Sequence, residues 1–189
     1  MRGRGGAGGY TRVVMTGVFK RVLVPIAFDP SGHGEPGWTP DEDEASISET
    51  SRRALELAAR LAAGGEVRLL HVTPDFASAA AYVGTAEGTG KRTIAKLNET
   101  ARAKSEEVLQ RLGAEHCPGV TVTACAAPSP VLGAIQHEAQ AHPPDAIVIA
   151  ASGHGRVRRF VLGSTADKII RNAPCPVIVV PVHGDDDEA

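Results

Sequence analysis

The run from Ile147 to Ala151 constrains the fold most, because it is apolar at every position and shows no alternation. A strand with one wet face alternates, so a continuous run argues for a strand covered on both faces, as in a parallel sheet between helical layers. After it comes Ser-Gly-His-Gly-Arg-Val-Arg-Arg-Phe-Val-Leu-Gly-Ser-Thr, then a short helical pattern, then Pro-Val-Ile-Val-Val-Pro ending at Pro181. The order reads buried strand, loop, helix, buried strand. Glycines let backbone N–H groups crowd round an anion, and the Gly163-Ser164 step opens a helix whose free N–H groups and dipole favour negative charge. Arg156, Arg158 and Arg159 add positive charge beside it. The stretch therefore reads as a nucleotide-phosphate site, with Ser164 capping the last helix and Asp167 three residues on. His154 reads as a loop brace.

The rest of the chain supplies the other layers. Phe19 to Phe28 is expected as the first strand, with Pro25 tolerable only near its end. Ser46 to Ala63 carries Ile47, Ala54, Leu55, Ala58, Leu61 and Ala62 on one helical stripe and stops at Gly64-Gly65. Glu66 to Thr73 is the second strand. Thr93 to Leu112 is a helix with Ile94, Leu97, Ala101, Val108 and Leu112 on its apolar face and Gly113 closing it. Val120 to Ala126 is the third strand, and Ser129 and Pro130 start the next helix as N-cap and first-turn residue. Asp145 opens the fourth strand, and Cys175 to Pro181 holds the fifth.

Between these lie Asp29 to Glu44, a polar loop ending in four acids and placed to act as a lid or a solvated turn, and Pro74 to Gly90, expected as a mobile loop. Met1 to Thr16 reads as a glycine-rich lead-in in which Met15 is an alternative start, and residues 184–189 as an acidic tail. The domain is thus expected over residues 19–183, after a flexible extension at 1–18.

Several chemistries are set aside on spacing. Gly88-Thr-Gly-Lys-Arg imitates the end of a Walker A loop, but Thr85 stands where its first glycine belongs and Arg92 where Ser or Thr belongs. His137 and His142 are five apart, about 140° round a helix, which does not suit a shared metal. Cys117, Cys125 and Cys175 have no metal-ligand spacing and are expected as small buried hydrophobes. With 20 Lys and Arg against 22 Asp and Glu, the net charge of -2 gives no general field for nucleic acid. No apolar run approaches the roughly 20 residues of a membrane span. A cytoplasmic protein with a small partner is expected.

The segment Gly-His-Gly-Arg to Val-Leu-Gly-Ser-Thr-Ala-Asp-Lys-Ile-Ile-Arg-Asn-Ala-Pro-Cys-Pro-Val-Ile-Val-Val resembles the C-terminal signature of the universal stress proteins. Arg21-Val-Leu-Val-Pro-Ile and Arg68-Leu-Leu-His-Val extend the resemblance over roughly Lys20 to Val182. It implies a doubly wound, Rossmann-like α/β domain with a five-stranded parallel sheet in the order 3-2-1-4-5 and helices on both faces. It further implies ATP, with or without Mg2+, held by Gly-x2-Gly-x9-Gly-Ser/Thr, and a homodimer formed through Val177 to Pro181. Carried over by position, the nucleotide residues are Pro25, Ala27, Asp29 and Val72 on the adenosine side. On the phosphate side they are Ser152, Gly153, Gly155, Arg156, Gly163, Ser164 and Thr165.

Ser152 replaces the first glycine of that pattern, seven residues rather than nine separate Gly155 from Gly163, and Ala27 stands at the aspartate position, with Asp29 two residues later. The resemblance implies a nucleotide-dependent regulator or sensor of the stress response, with at most slow ATP hydrolysis. The alternative is a dimeric interaction module of the same fold that has lost ATP and works through a protein partner. An adenylating enzyme is disfavoured, because no Ser-Gly-Gly-x-Asp-Ser loop follows the first strand and no His-x-Gly-His occurs.

Overall fold

A computed structural model describes residues 17–28, 47–73, 76, 91–128, 130–151 and 164–181. Five strands, β1 (Arg21–Ile26), β2 (Glu66–Thr73), β3 (Thr121–Pro128), β4 (Ala146–Ala150) and β5 (Val177–Val180), form one parallel sheet in the order β3-β2-β1-β4-β5. The described helices are α1 (Glu49–Leu61), α2 (Lys91–His116), α3 (Val131–Ala141) and α4 (Ser164–Asn172). This is the doubly wound order expected from the resemblance. None of the described helices is long and apolar enough to cross a membrane.

The unalternated strands are buried on both faces, as their composition requires. Val22, Val24, Val67, Leu69 and Val148 pack with Leu55 and Ala58 of α1 and Val108, Leu109 and Leu112 of α2. Leu23, Leu70, Ile147 and Ile149 pack on the other face with Ala134 and Ile135 of α3 and Ala166 and Ile169 of α4. Each buried leucine or isoleucine contributes about 1.5–3 kcal/mol through removal of its side chain from water, so the alternate residues of a single strand stabilise two separate layers.

The helix ends are local chemistry. Ser48 caps α1 by accepting from Ser51 N–H at 3.1 Å, and Gly64 turns the chain away at φ 79°. Carbonyls at the end of α1 and just past it accept from the segment before β1, Leu61 O from Phe19 N at 3.0 Å and Ala63 O from Gly17 N at 2.6 Å. These bonds satisfy groups that a helix end leaves orphaned.

Some expected boundaries change. α2 does not close at Gly113 but runs three residues further, and the left-handed turn falls at Gly119, φ 78°. Gly113 lies where helix and sheet approach closely: a Cβ there would overlap Val122 Cγ1. At 26 residues α2 is about 39 Å long. The eight-residue strands beneath it reach about 26 Å. Its first turns therefore overhang the sheet, and Leu97, expected on the apolar face, is 44% exposed. Pro130 occupies the N-cap of α3 with no side-chain cap bond. Ser129, expected there, lies outside the described residues.

Of the cysteines, Cys117 is buried, whereas Cys125 and Cys175 are only partly so, and all are free thiols. Burial pushes Cys117 up to about 11 and Cys125 up to about 12, so both stay protonated at neutral pH. At the β3 edge, Glu106 of α2 reaches over to accept the Ala126 N–H at 3.3 Å.

Gly113→Ala is expected to destabilise the fold by about 1–3 kcal/mol through overpacking, read as a lower denaturant midpoint. Adding Val122→Ala should recover most of the loss, which a simple helix-propensity effect would not permit.

Candidate functional site

In a doubly wound sheet the crevice lies at the carboxyl ends of the strands, where the winding direction reverses. Here that point is between β1 and β4. The two strands are tied firmly at their amino ends. Asp145 Oδ2 accepts from Lys20 N at 2.7 Å and from Arg21 N at 2.9 Å, while Asp145 N donates to Arg21 O at 2.9 Å. The backbone N–H of Arg21 and then that of Lys20 hold the exposed Asp145 carboxyl below its usual range.

Towards the carboxyl ends the hydrogen-bonded pairing of the same strands stops. Peptide directions alternate along a strand, so Arg21 facing β4 means that Leu23 and Pro25 face β4 too. On β4, Ile147 N and Ala151 N donate outward to Pro176 O and Val180 O of the β5 side, which turns Val148 towards β1. Pro25 thus sits where an N–H would meet Val148, and it has none. The recorded rungs between β1 and β4 are Val22 with Ala146 and Leu23 with Ile147. A proline that looked unfit for a central strand is what ends the ladder at the switch point.

At this carboxyl edge lie the described residues of the expected adenosine side. Pro25 and Val72 are half-buried and Ala27 is exposed just past β1. Glu66 N donates to Lys20 O, so even-numbered residues of β2 turn their peptides to β1. Val72 does so one step beyond Ile26 and His71, the last rung of that pair. On the phosphate side Ser164 opens α4, which runs back from the carboxyl edge towards the start of β5, and Thr165 is exposed in its first turn. Asp167 turns both carboxylate oxygens to Arg171 Nε, at 2.9 and 3.0 Å. Asp29, Ser152, Gly153, Gly155, Arg156, Gly163 and His154 lie outside the described residues, as do Arg158 and Arg159.

Two features at this edge were not singled out from sequence. His71 Nδ1 bonds Ile26 O at 3.0 Å; a carbonyl only accepts, so Nδ1 carries the proton. The imidazole stacks on Phe28 with centroids 4.1 Å apart and planes 27° from parallel. Burial lowers the His71 pKa from its ordinary value, with the bond to Ile26 opposing, and the ring is neutral. Nearby, the buried Thr73 hydroxyl has no hydrogen-bond partner among the described residues. The one sequence signal was His71 opposite an aromatic at a strand exit, and it is visible only once the register is known.

A charged chain at the opposite end of the sheet is structural. Arg68 pairs with Glu66 at 2.6 Å and Glu138 of α3 at 2.8 Å, and Glu66 also takes Arg21 at 2.9 Å and the Thr123 hydroxyl at 2.9 Å. Desolvation alone would raise the Glu66 pKa; the bonds from Arg21, Arg68 and Thr123 outweigh it and hold the carboxyl low. Every charge is committed to a partner, so the group braces α3 on the sheet. His137 and His142 are exposed, and no cluster of three metal-ligating side chains occurs among the described residues.

The model of the Universal stress protein family matches residues 46–181. Among solved structures, the chain is similar to a universal stress protein family protein of Arabidopsis thaliana with AMP bound (18% identity, TM-score 0.57, covering 88% of this chain and 94% of that one). A universal stress protein of Archaeoglobus fulgidus aligns at 18% identity and TM-score 0.51 over 86% of this chain and 94% of its own. A longer one from Archaeoglobus fulgidus DSM 4304 aligns at 26% identity and TM-score 0.51, over 89% of this chain and 46% of its own. No curated protein matches the chain.

Because the folded Glu66 pKa is depressed, its contribution to stability is complete above the ordinary value of about 4.3 and is lost as pH falls through the lower folded value. Glu66→Gln should therefore flatten the decline in denaturation midpoint between about pH 5 and pH 3, while lowering the midpoint at pH 7.

Proposed function

The chain belongs to the universal stress protein family, and from that membership we propose that it binds an adenine nucleotide, ATP foremost, at the switch point between β1 and β4. In this reading the adenine lies against Val72, the ribose over Ala27 and Asp29, and the phosphates at the residues from Ser152 to Gly155, at Arg156 and from Gly163 to Thr165. Mg2+ accompanies the triphosphate. The observation that supports it most is the end of the β1–β4 ladder at Pro25, two residues before exposed Ala27, on a sheet whose β4 leads on to a helix opening at Ser164. A helix N-terminus at the carboxyl edge of a parallel sheet suits an anion. The Arabidopsis thaliana neighbour with AMP bound offers a precedent on the same fold.

The protein then acts as a cytoplasmic, nucleotide-dependent regulator of the stress response, with hydrolysis slow at most. Backbone N–H groups and arginines supply binding, and the sequence gives no motif that sets a base on an attacking water.

A second reading, a dimeric interaction module, draws on β5. Pro176 O and Val180 O accept from β4, so alternation turns the peptides of Val177 and Val179 to the outer edge. An apolar edge of this kind invites pairing with a second copy.

The first reading is tested by isothermal titration with ATP and Mg2+, and with AMP. Ala27→Asp restores a carboxylate at the position the family uses for ribose; a charge-assisted hydrogen bond there contributes about 1.5–3 kcal/mol, so affinity should rise tenfold or more. No binding by either protein at millimolar nucleotide would leave only the module reading. For the dimer, Val179→Pro removes an outward N–H without breaking the ladder to β4. Sedimentation equilibrium should show a monomer with an unchanged fold; a persisting dimer would place the interface elsewhere.

A further inference from the structure

We propose that His71 is a positioning residue for the nucleotide, holding the backbone of Ala27 and Phe28 in the course that the ribose side of the site requires. The inference rests on the nucleotide-binding reading above and goes beyond it, since His71 was assigned no contact with ligand.

The geometry is that of a two-point clamp. β1 ends at Ile26, and Pro25 has already removed its support from β4 at this level. On the other side, the last rung to β2 pairs Ile26 with His71. Beyond that rung the chain must cross the switch point through Ala27 and Phe28 with one strand, β2, left to guide it. His71 provides two restraints from one side chain. Its Nδ1–H holds the Ile26 carbonyl at 3.0 Å, fixing the peptide that leads into Ala27, and its ring face holds the Phe28 ring at 4.1 Å. Phe28 is itself buried in the layer formed with α1, which anchors the far end.

Alternation then assigns the neighbours. His71 points into the α1 and α2 layer, and Val72 belongs to the α3 and α4 layer. A half-buried histidine thus acts on the crevice from behind the sheet, through main chain, without touching the ligand. A restraint of this kind matters because a displacement of about 1 Å in a binding group is enough to lose most of its interaction.

Two variants separate the restraints. His71→Phe keeps a ring against Phe28 and loses the bond to Ile26; His71→Asn keeps a donor near the Nδ1 position and loses the stack. Affinity for ATP with Mg2+ is measured by isothermal titration beside the denaturant midpoint of each protein. The expected result is at least a tenfold weaker ATP Kd for His71→Phe and recovery to within about threefold in His71→Asn, without a parallel order in the midpoints. A general structural role predicts instead that affinity follows stability. If wild type binds and His71→Phe binds within twofold of it, this inference is overturned and the nucleotide reading stands. If wild type itself fails to bind, the nucleotide reading falls and this inference with it.

Discussion

The central constraint is the unequal joining of β1 and β4. At the amino end one aspartate, Asp145, gathers two backbone N–H groups of the neighbouring strand and returns its own to that strand. At the carboxyl end a proline withholds the N–H that would have continued the ladder. A parallel sheet tied at one end and left without ladder bonds at the other has a switch point whose place is fixed by backbone chemistry. Side chains on the surrounding strands can then change without moving it.

The two layers over this sheet divide the labour. The α1 and α2 layer holds the larger apolar cluster, together with the buried Thr50, Ser51 and Ser105, and it carries Phe28 and the face of His71. The α3 and α4 layer is thinner and is braced at the amino end of the sheet by Arg68 between Glu66 and Glu138, whose side chains are 11%, 21% and 13% exposed. Ion pairs at that depth contribute little net energy over apolar packing, but breaking one strands a charge. Their effect here is to fix where α3 sits, and so to keep the polar network away from the end of the sheet where α4 begins.

Much of the fold was legible because burial on both faces leaves an unambiguous mark. The runs at Val22–Val24 and Ile147–Ile149 admit few environments, and Glu66 to Thr73 is a strand with the expected limits. What sequence did not give was chemistry that depends on partners far along the chain. Gly113 looks like a helix stop, yet its lack of a Cβ serves packing against Val122 and the helix continues. Asp145 looks like the first residue of a strand; that it clamps Lys20 and Arg21 requires knowing that residues more than 120 apart are adjacent. Pro25 looked misplaced until the direction of its absent donor was known. Of the candidate site, the adenosine side (Pro25, Ala27, Val72) lies together at one edge, with Ser164 and Thr165 opening the helix that starts there. The glycines and arginines between Ser152 and Gly163 remain a matter of sequence.

The two outer strands are finished differently. Along β3, Glu106 covers the outward N–H of Ala126 and Pro128 brings none, so the carboxyl half of that border offers few donors to a newcomer. The border at β5 has no such cover from its own prolines, which flank the strand without interrupting it. If a second copy pairs along β5, as the module reading proposes, the cover on β3 leaves little edge to extend from, so such growth would close as a two-fold pair and would not propagate into a fibre.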